Sequence, residues 1–135
     1  MENTNPNIAK KKILCIEDER FIGELYERAL TQGGYDVKVV SNGQEGLNEA
    51  KTNAYDVILL DLMVPDVLGV DILSEIQSQT PAIKAKIIVT TNLEQKKEVR
   101  EDIEKRTDGY IIKAEITPRQ LVEIINSLIG LAKLL

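Results

Sequence analysis

The run Ala54-Tyr55-Asp56-Val57-Ile58-Leu59-Leu60-Asp61-Leu62-Met63-Val64-Pro65-Asp66-Val67-Leu68-Gly69 decides how the rest of the chain is read. Val57 to Leu60 are consecutive aliphatic residues, too few for a buried helix. With no polar alternation they read as a strand covered on both faces, as in a parallel sheet. That strand ends on a carboxylate, Asp61, after which Pro65 and Gly69 break the chain into a loop. Asp61 is therefore expected at the exposed carboxyl end of a central strand, where open α/β sheets place their chemistry.

The bulk properties narrow what that chemistry can be. A length of 135 residues with 43% apolar side chains predicts one domain, residues 10–135, able to fill its own core. Residues 1–9 are polar and Asn-rich and read as a flexible tail without a signal-peptide core. A net charge of -5 argues against a nucleic-acid or anionic-membrane surface, and Lys10 to Lys12 is the only basic run. No apolar stretch approaches a membrane span, so a cytoplasmic protein is expected. Cys15 cannot form an internal disulfide and lies within Ile13 to Ile16, where it reads as a small buried hydrophobe. The chain contains no His, which removes Ser-His and Cys-His nucleophile pairs and His-based zinc sites. Carboxylates, hydroxyls and amines must carry the chemistry.

Outward from the central strand, the periodicities alternate. Lys12 to Ile16 predicts a first strand ending in Glu17-Asp18-Glu19, and Phe21, Ile22, Leu25, Tyr26, Ala29 and Leu30 recur at helical spacing up to Gly33-Gly34. Tyr35 to Val40 is a second strand and Gln44 to Lys51 a short helix. After the Asp61 loop, Val70, Ile72, Leu73 and Ile76 mark a third helix, closed by Thr80-Pro81. Ile87 to Thr90 is a fourth strand ending at Thr91-Asn92, and Leu93 to Thr107 reads as a helix with a narrow apolar stripe of Leu93, Val99 and Ile103. Gly109 to Ile112 is a fifth strand ending on Lys113. Thr117 with Pro118 behind it opens a last helix to about Leu135. The fold class is α/β: a flavodoxin-like, doubly wound sheet of five parallel strands, order 2-1-3-4-5, with helices on both faces.

In that order strands one and three are neighbours, so Glu17, Asp18 and Asp61 converge at one mouth while Thr91 and Lys113 close the adjoining strands. Carboxylates so placed repel one another unless protonated or bridged by a hard cation. With oxygen ligands only, Mg²⁺ is the natural choice, and it favours a phosphate as a further ligand. A phosphoryl group on Asp61 would meet that need, with the Lys113 ammonium on one oxygen and the Thr91 hydroxyl on another.

From Lys12 to about Leu131 the chain resembles a response-regulator receiver domain, the phosphoacceptor half of two-component signalling and similar to the chemotaxis regulators. The resemblance rests on Ile-Leu-Cys-Ile-Glu17-Asp18-Glu19, Val-Ile-Leu-Leu-Asp61-Leu-Met-Val-Pro65, Ile-Ile-Val-Thr-Thr91-Asn92 and Gly-Tyr110-Ile-Ile-Lys113, in order and at the family's spacing. It implies that Asp61 takes a phosphoryl group from a sensor histidine kinase or phosphotransfer protein in a Mg²⁺-dependent reaction. It further implies Mg²⁺ ligation by Asp18 directly, by Glu17 through water, by Asp61 and by the Met63 backbone carbonyl. Thr91 and Tyr110 would then act as the switch that remodels the α4-β5-α5 surface for a downstream protein partner. The protein so described is a signalling switch rather than a conventional enzyme.

Several positions depart from the family's pattern. Ala114 stands where a proline joined through a cis bond is usual. A non-proline cis bond costs roughly 3 kcal/mol, so either the bond is trans with Lys113 placed differently, or the fold bears that strain. Asn92 replaces a small residue after Thr91, and Met63 and Leu93 are apolar where relatives orient the attacking water, which predicts slow autodephosphorylation. Ala114 and Asn92 keep open a receiver-like interaction module that works without phosphorylation. A phosphohydrolase using Asp61 would want a proton carrier at the Met63 position. On the last helix, Val122, Ile129 and Leu131 widen the stripe of Leu121, Ile124, Ile125, Leu128, Ala132 and Leu135, which suggests a homodimer surface.

Overall fold

The computed structural model describes residues 10–130; the tail placed at residues 1–9 and the last positions of the final helix stripe, Leu131, Ala132 and Leu135, lie outside them. The elements are β1 (Lys12–Ile16), α1 (Arg20–Gln32), β2 (Asp36–Val40), α2 (Gly43–Lys51), β3 (Val57–Asp61), α3 (Gly69–Gln77), β4 (Lys86–Thr91), α4 (Lys97–Arg106), β5 (Gly109–Ile112) and α5 (Pro118–Leu128), with a 3₁₀ turn over Lys113–Glu115. All pairings are parallel, in the expected order β2-β1-β3-β4-β5.

β1, β3 and β4 carry no polar alternation because both their faces are covered, whereas the edge strand β2 exposes Asp36 and Lys38. Leu14, Ile16, Ile58, Leu60, Ile87 and Val89 pack with Ala50, Ile72, Leu73, Ile76 and Ile103 from α2, α3 and α4. Ile13, Cys15, Val57, Leu59, Ile88 and Ile111 face the other way, against Tyr26, Leu30, Leu121 and Ile125 from α1 and α5. Successive strand residues thus feed two separate cores, which is what fixes β3 at the centre. Thr117 and Gln120 close a capping box at the start of α5, with Pro118 behind the cap as the sequence indicates.

Three boundaries or faces differ from the sequence reading. α4 begins at Lys97, not Leu93. The backbone groups of residues 93–95 are committed elsewhere: the Thr91 hydroxyl donates to the Leu93 carbonyl at 2.9 Å, and the Gln95 N–H donates to the Tyr110 hydroxyl at 3.2 Å. Among the described residues α5 is helical to Leu128, and Gly130 takes a left-handed φ of 75°, a conformation that favours glycine just past a helix end. The widened stripe on α5 is mostly consumed within the domain. Val122 and Ile129 pack on the α1 side of the core, and Ile124 remains exposed. No helix among the described residues is long and apolar enough to cross a membrane.

Candidate functional site

β1 and β3 are adjacent, so their carboxyl ends bring Glu17, Asp18 and Asp61 to one mouth. One carboxylate oxygen from each lies within 4.8 Å of the other two. Asp61 and Glu17 are buried, at 1% and 2% exposure, while Asp18 faces solvent. The loop after β3 holds Asp61 in place: the Met63 N–H donates to Asp61 Oδ1 at 2.9 Å. The same loop is tied to α2 by Asp66, which accepts from the Gly43 and Gln44 N–H groups at 2.7 and 3.0 Å. Those N–H groups hold the Asp66 carboxyl below the usual range.

Lys113 reaches into the mouth from the end of β5. Its Nζ stands 3.0 Å from Asp61 Oδ2, 2.6 Å from Glu17 Oε1 and 3.6 Å from Glu19 Oε1. The Lys113–Ala114 bond is trans, the one cis peptide among the described residues being Thr80–Pro81. The sequence reading tied a trans bond to a displaced lysine, and that does not occur. Ile112 is extended, with φ -90° and ψ 117°, and the chain coils at once into the 3₁₀ turn, which leaves Lys113 over the strand ends.

The charges in the mouth do not balance. Burial lifts Glu17 to about 7, and the nearby Asp61 charge adds to this against the pull of Lys113. Burial and Asp61 likewise raise Asp18. For Lys113 burial works to lower the pKa, but its close contacts with the Glu17 and Asp61 carboxylates overcome it and hold the ammonium above the ordinary lysine range. Glu17 Oε1 is also out of line for a hydrogen bond to Nζ. Despite the 2.6 Å ionic contact it has no hydrogen-bond partner among the described residues. A cluster of three carboxylates facing one ammonium, with a buried Glu17 oxygen that makes no hydrogen bond, suits a hard divalent cation held through carboxylates and water.

Thr91 and Tyr110 stand beside this mouth without entering it. Thr91 is fully buried, yet its hydroxyl serves its own loop, donating to the Leu93 carbonyl and accepting from Gln95 Nε2 at 3.4 Å. The Tyr110 hydroxyl accepts from the Gln95 N–H, and the Arg100 guanidinium lies 4.6 Å from its ring centroid. Gln95 therefore connects the two residues that the sequence assigned to switching, a role it did not reveal. Sequence reasoning also missed Asp66 as the anchor of the β3–α3 loop. An Asp three residues before the Gly69 helix start gave no sign that its partner was a different helix.

A parallel doubly wound sheet with an acidic pocket at its switch point and, over it, a lysine just past the end of the fifth strand defines a receiver domain. The chain belongs to that family, the response regulator receiver domain, whose family model matches residues 13–126. Among relatives, response regulator ArlR of Staphylococcus saprophyticus is 39% identical over 103 residues, covering 76% of this chain and 45% of that one. Transcriptional regulatory protein CusR of Escherichia coli is 35% identical over 102 residues, covering 76% of this chain and 44% of that one. The chain thus spans less than half the length of these relatives. Of solved structures, the signal receiver domain of a putative Luxo repressor protein from Vibrio parahaemolyticus superposes with a TM-score of 0.80, at 22% identity over 93% of this chain and 95% of that one. Chemotaxis response regulator CheY4 of Vibrio cholerae gives 0.78 at 22% identity, over 89% of this chain and 99% of that one. At those identities the likeness shows the fold alone.

Proposed function

We propose that the protein is a phosphoryl-accepting response regulator in which Asp61 is the acceptor, fed by a sensor histidine kinase or phosphotransfer protein in the cytoplasm. The observation that supports this best is the convergence on Asp61 of Lys113 at 3.0 Å and of the Glu17 and Asp18 carboxylates within 4.8 Å. In the transfer, a carboxylate oxygen of Asp61 forms a bond to phosphorus as the donor's phosphorus–nitrogen bond breaks. The imidazole leaves with that electron pair, and the product is an acyl phosphate. Lys113 offsets charge on a phosphoryl oxygen as a point charge, and burial of its stem keeps it from swinging into solvent.

Mg²⁺, held by Asp18, Asp61, the Met63 backbone carbonyl and, through water, Glu17, would supply neutralisation of phosphoryl oxygen charge. Thr91 then serves as donor to a phosphoryl oxygen. To do so its hydroxyl gives up Leu93 and Gln95, and Gln95 passes the change to Tyr110. New charge-assisted bonds at the site thereby bias a two-state surface formed by α4, β5 and α5, to which a downstream protein partner would bind. On this reading the protein is not a conventional enzyme. Homodimerisation through α5 rests on Ile124 alone among the described residues and is not needed for the switch.

Incubation with Mg²⁺ and a small acyl-phosphate donor, followed by intact mass, tests the proposal. One phosphoryl adduct is expected in the wild type and none in Asp61→Asn. An adduct of equal yield in both proteins would refute it. Met63 and Leu93 are both exposed at the rim, and neither can orient an attacking water by hydrogen bonding. The adduct should therefore decay slowly after donor removal, with a half-life of minutes or longer. Decay within seconds would contradict this.

A further inference from the structure

We infer that Asn92 and Glu19 form a strap across the mouth that regulates access to Asp61. The inference rests on the phosphoacceptor reading and assigns it two further positioning residues. Asn92 Nδ2 donates to Glu19 Oε1 at 3.0 Å. Asn92 belongs to the loop after β4 and Glu19 to the loop after β1, and these strands are not neighbours: β3 runs between them. A hydrogen bond joining the two loops at the carboxyl edge of the sheet must therefore cross the end of β3, which is Asp61.

The strap is also in electrostatic contact with the site. The oxygen that receives Asn92, Glu19 Oε1, is 3.6 Å from Lys113 Nζ, and that same Nζ is 3.0 Å from Asp61 Oδ2. A line of contacts thus runs from the rim to the buried acceptor through Asn92, Glu19, Lys113 and Asp61. Asn92 precedes Leu93, whose carbonyl receives the Thr91 hydroxyl. Fastening Asn92 to Glu19 therefore also fastens the loop that Thr91 must leave. A phosphoryl donor entering, or a water entering to attack the acyl phosphate so that inorganic phosphate leaves and the Asp61 carboxylate is restored, has to part the two side chains. The strap should slow uptake and hydrolysis alike, because both need access to Asp61.

Glu19 and Asn92 are both exposed, so the closure is weak and reversible. Its loss should raise rates by a factor of roughly three to ten, the population change that one solvent-exposed hydrogen bond supports.

Four variants decide the matter: Asn92→Ala, Glu19→Ala, Glu19→Gln and the Asn92→Ala/Glu19→Ala double. Phosphorylation by a small acyl phosphate and decay of the adduct are followed by intact mass. Hydrogen exchange of the 92–95 amides is followed without any donor. Both alanine variants should accelerate uptake and decay together, the double should match either single, and Glu19→Gln, whose amide oxygen can still accept from Asn92, should stay near wild type. Exchange at 92–95 should rise in the same three proteins and not in Glu19→Gln. Multiplying effects in the double, a Glu19→Gln as fast as Glu19→Ala, or unchanged exchange would each overturn the strap. If the wild type takes no phosphoryl group at all, the phosphoacceptor reading fails, whereas an adduct formed at equal rates in every variant leaves that reading intact and removes only the strap.

Discussion

Lys113→Ala should destabilise the protein in EDTA by about 3 kcal/mol and slow phosphoryl uptake by roughly a hundred-fold. Lys113 is 8% exposed and its ammonium stands between two buried carboxylates, so its loss leaves Glu17 and Asp61 facing each other in a region of low polarity. Breaking a buried pair from one side costs more than the pair contributes, because the remaining charge keeps its desolvation penalty. The effect should therefore be relieved in part by Glu17→Gln in the Lys113→Ala background, a coupling that a surface lysine would not show. Denaturant titration of the two singles and the double measures it. Wild-type stability for Lys113→Ala would mean that the lysine spends its time in solvent, not on Asp61.

Gly69→Ala should cost about 2 kcal/mol or more through steric overlap alone. A Cβ at this position would lie 2.4 Å from the Leu62 Cα, 2.9 Å from the Leu62 carbonyl oxygen and 3.0 Å from the Asp61 carbonyl oxygen. All three are backbone atoms, so no side chain can turn aside to make room. The Gly69 N–H also donates to the Leu62 carbonyl at 3.2 Å, which folds the loop from Leu62 back onto the strand end. Relief of the overlap would have to displace the segment carrying the Met63 N–H that bonds Asp61. A lower denaturation midpoint together with slower phosphoryl uptake is the expected pair of results. A variant as stable as wild type would show that the loop after β3 can yield.

Most of the sheet was legible because β1, β3, β4 and β5 read as apolar runs, which only a two-sided cover explains, and because each of those runs leads into a chemically distinct residue, Glu17, Asp61, Thr91 or Lys113. Parallel order then places Glu17, Asp18 and Asp61 together before any coordinate is known, and the structure puts their oxygens within 4.8 Å. What stayed hidden lies in loops whose bonding is decided by distant partners. Leu93 to Lys96 has helical composition, yet Thr91 and Tyr110 claim its backbone groups. Lys113 reaches Asp61 across an ordinary trans bond because a 3₁₀ turn follows at once, and local propensity around Ala114 does not reveal that turn. The apolar edge on α5 looked unpartnered because Val122 and Ile129 find their neighbours on α1, far away in the chain.

One carboxylate, Asp61, is expected to take the phosphoryl group while Glu17 and Asp18 beside it do not. Protein treated with Mg²⁺ and an acyl-phosphate donor, then reduced with borohydride, carries homoserine wherever an aspartyl phosphate stood. Peptide sequencing by mass spectrometry should find that conversion at position 61. Conversion at Asp18 in place of Asp61, or no conversion in a protein that has bound Mg²⁺, would contradict the account.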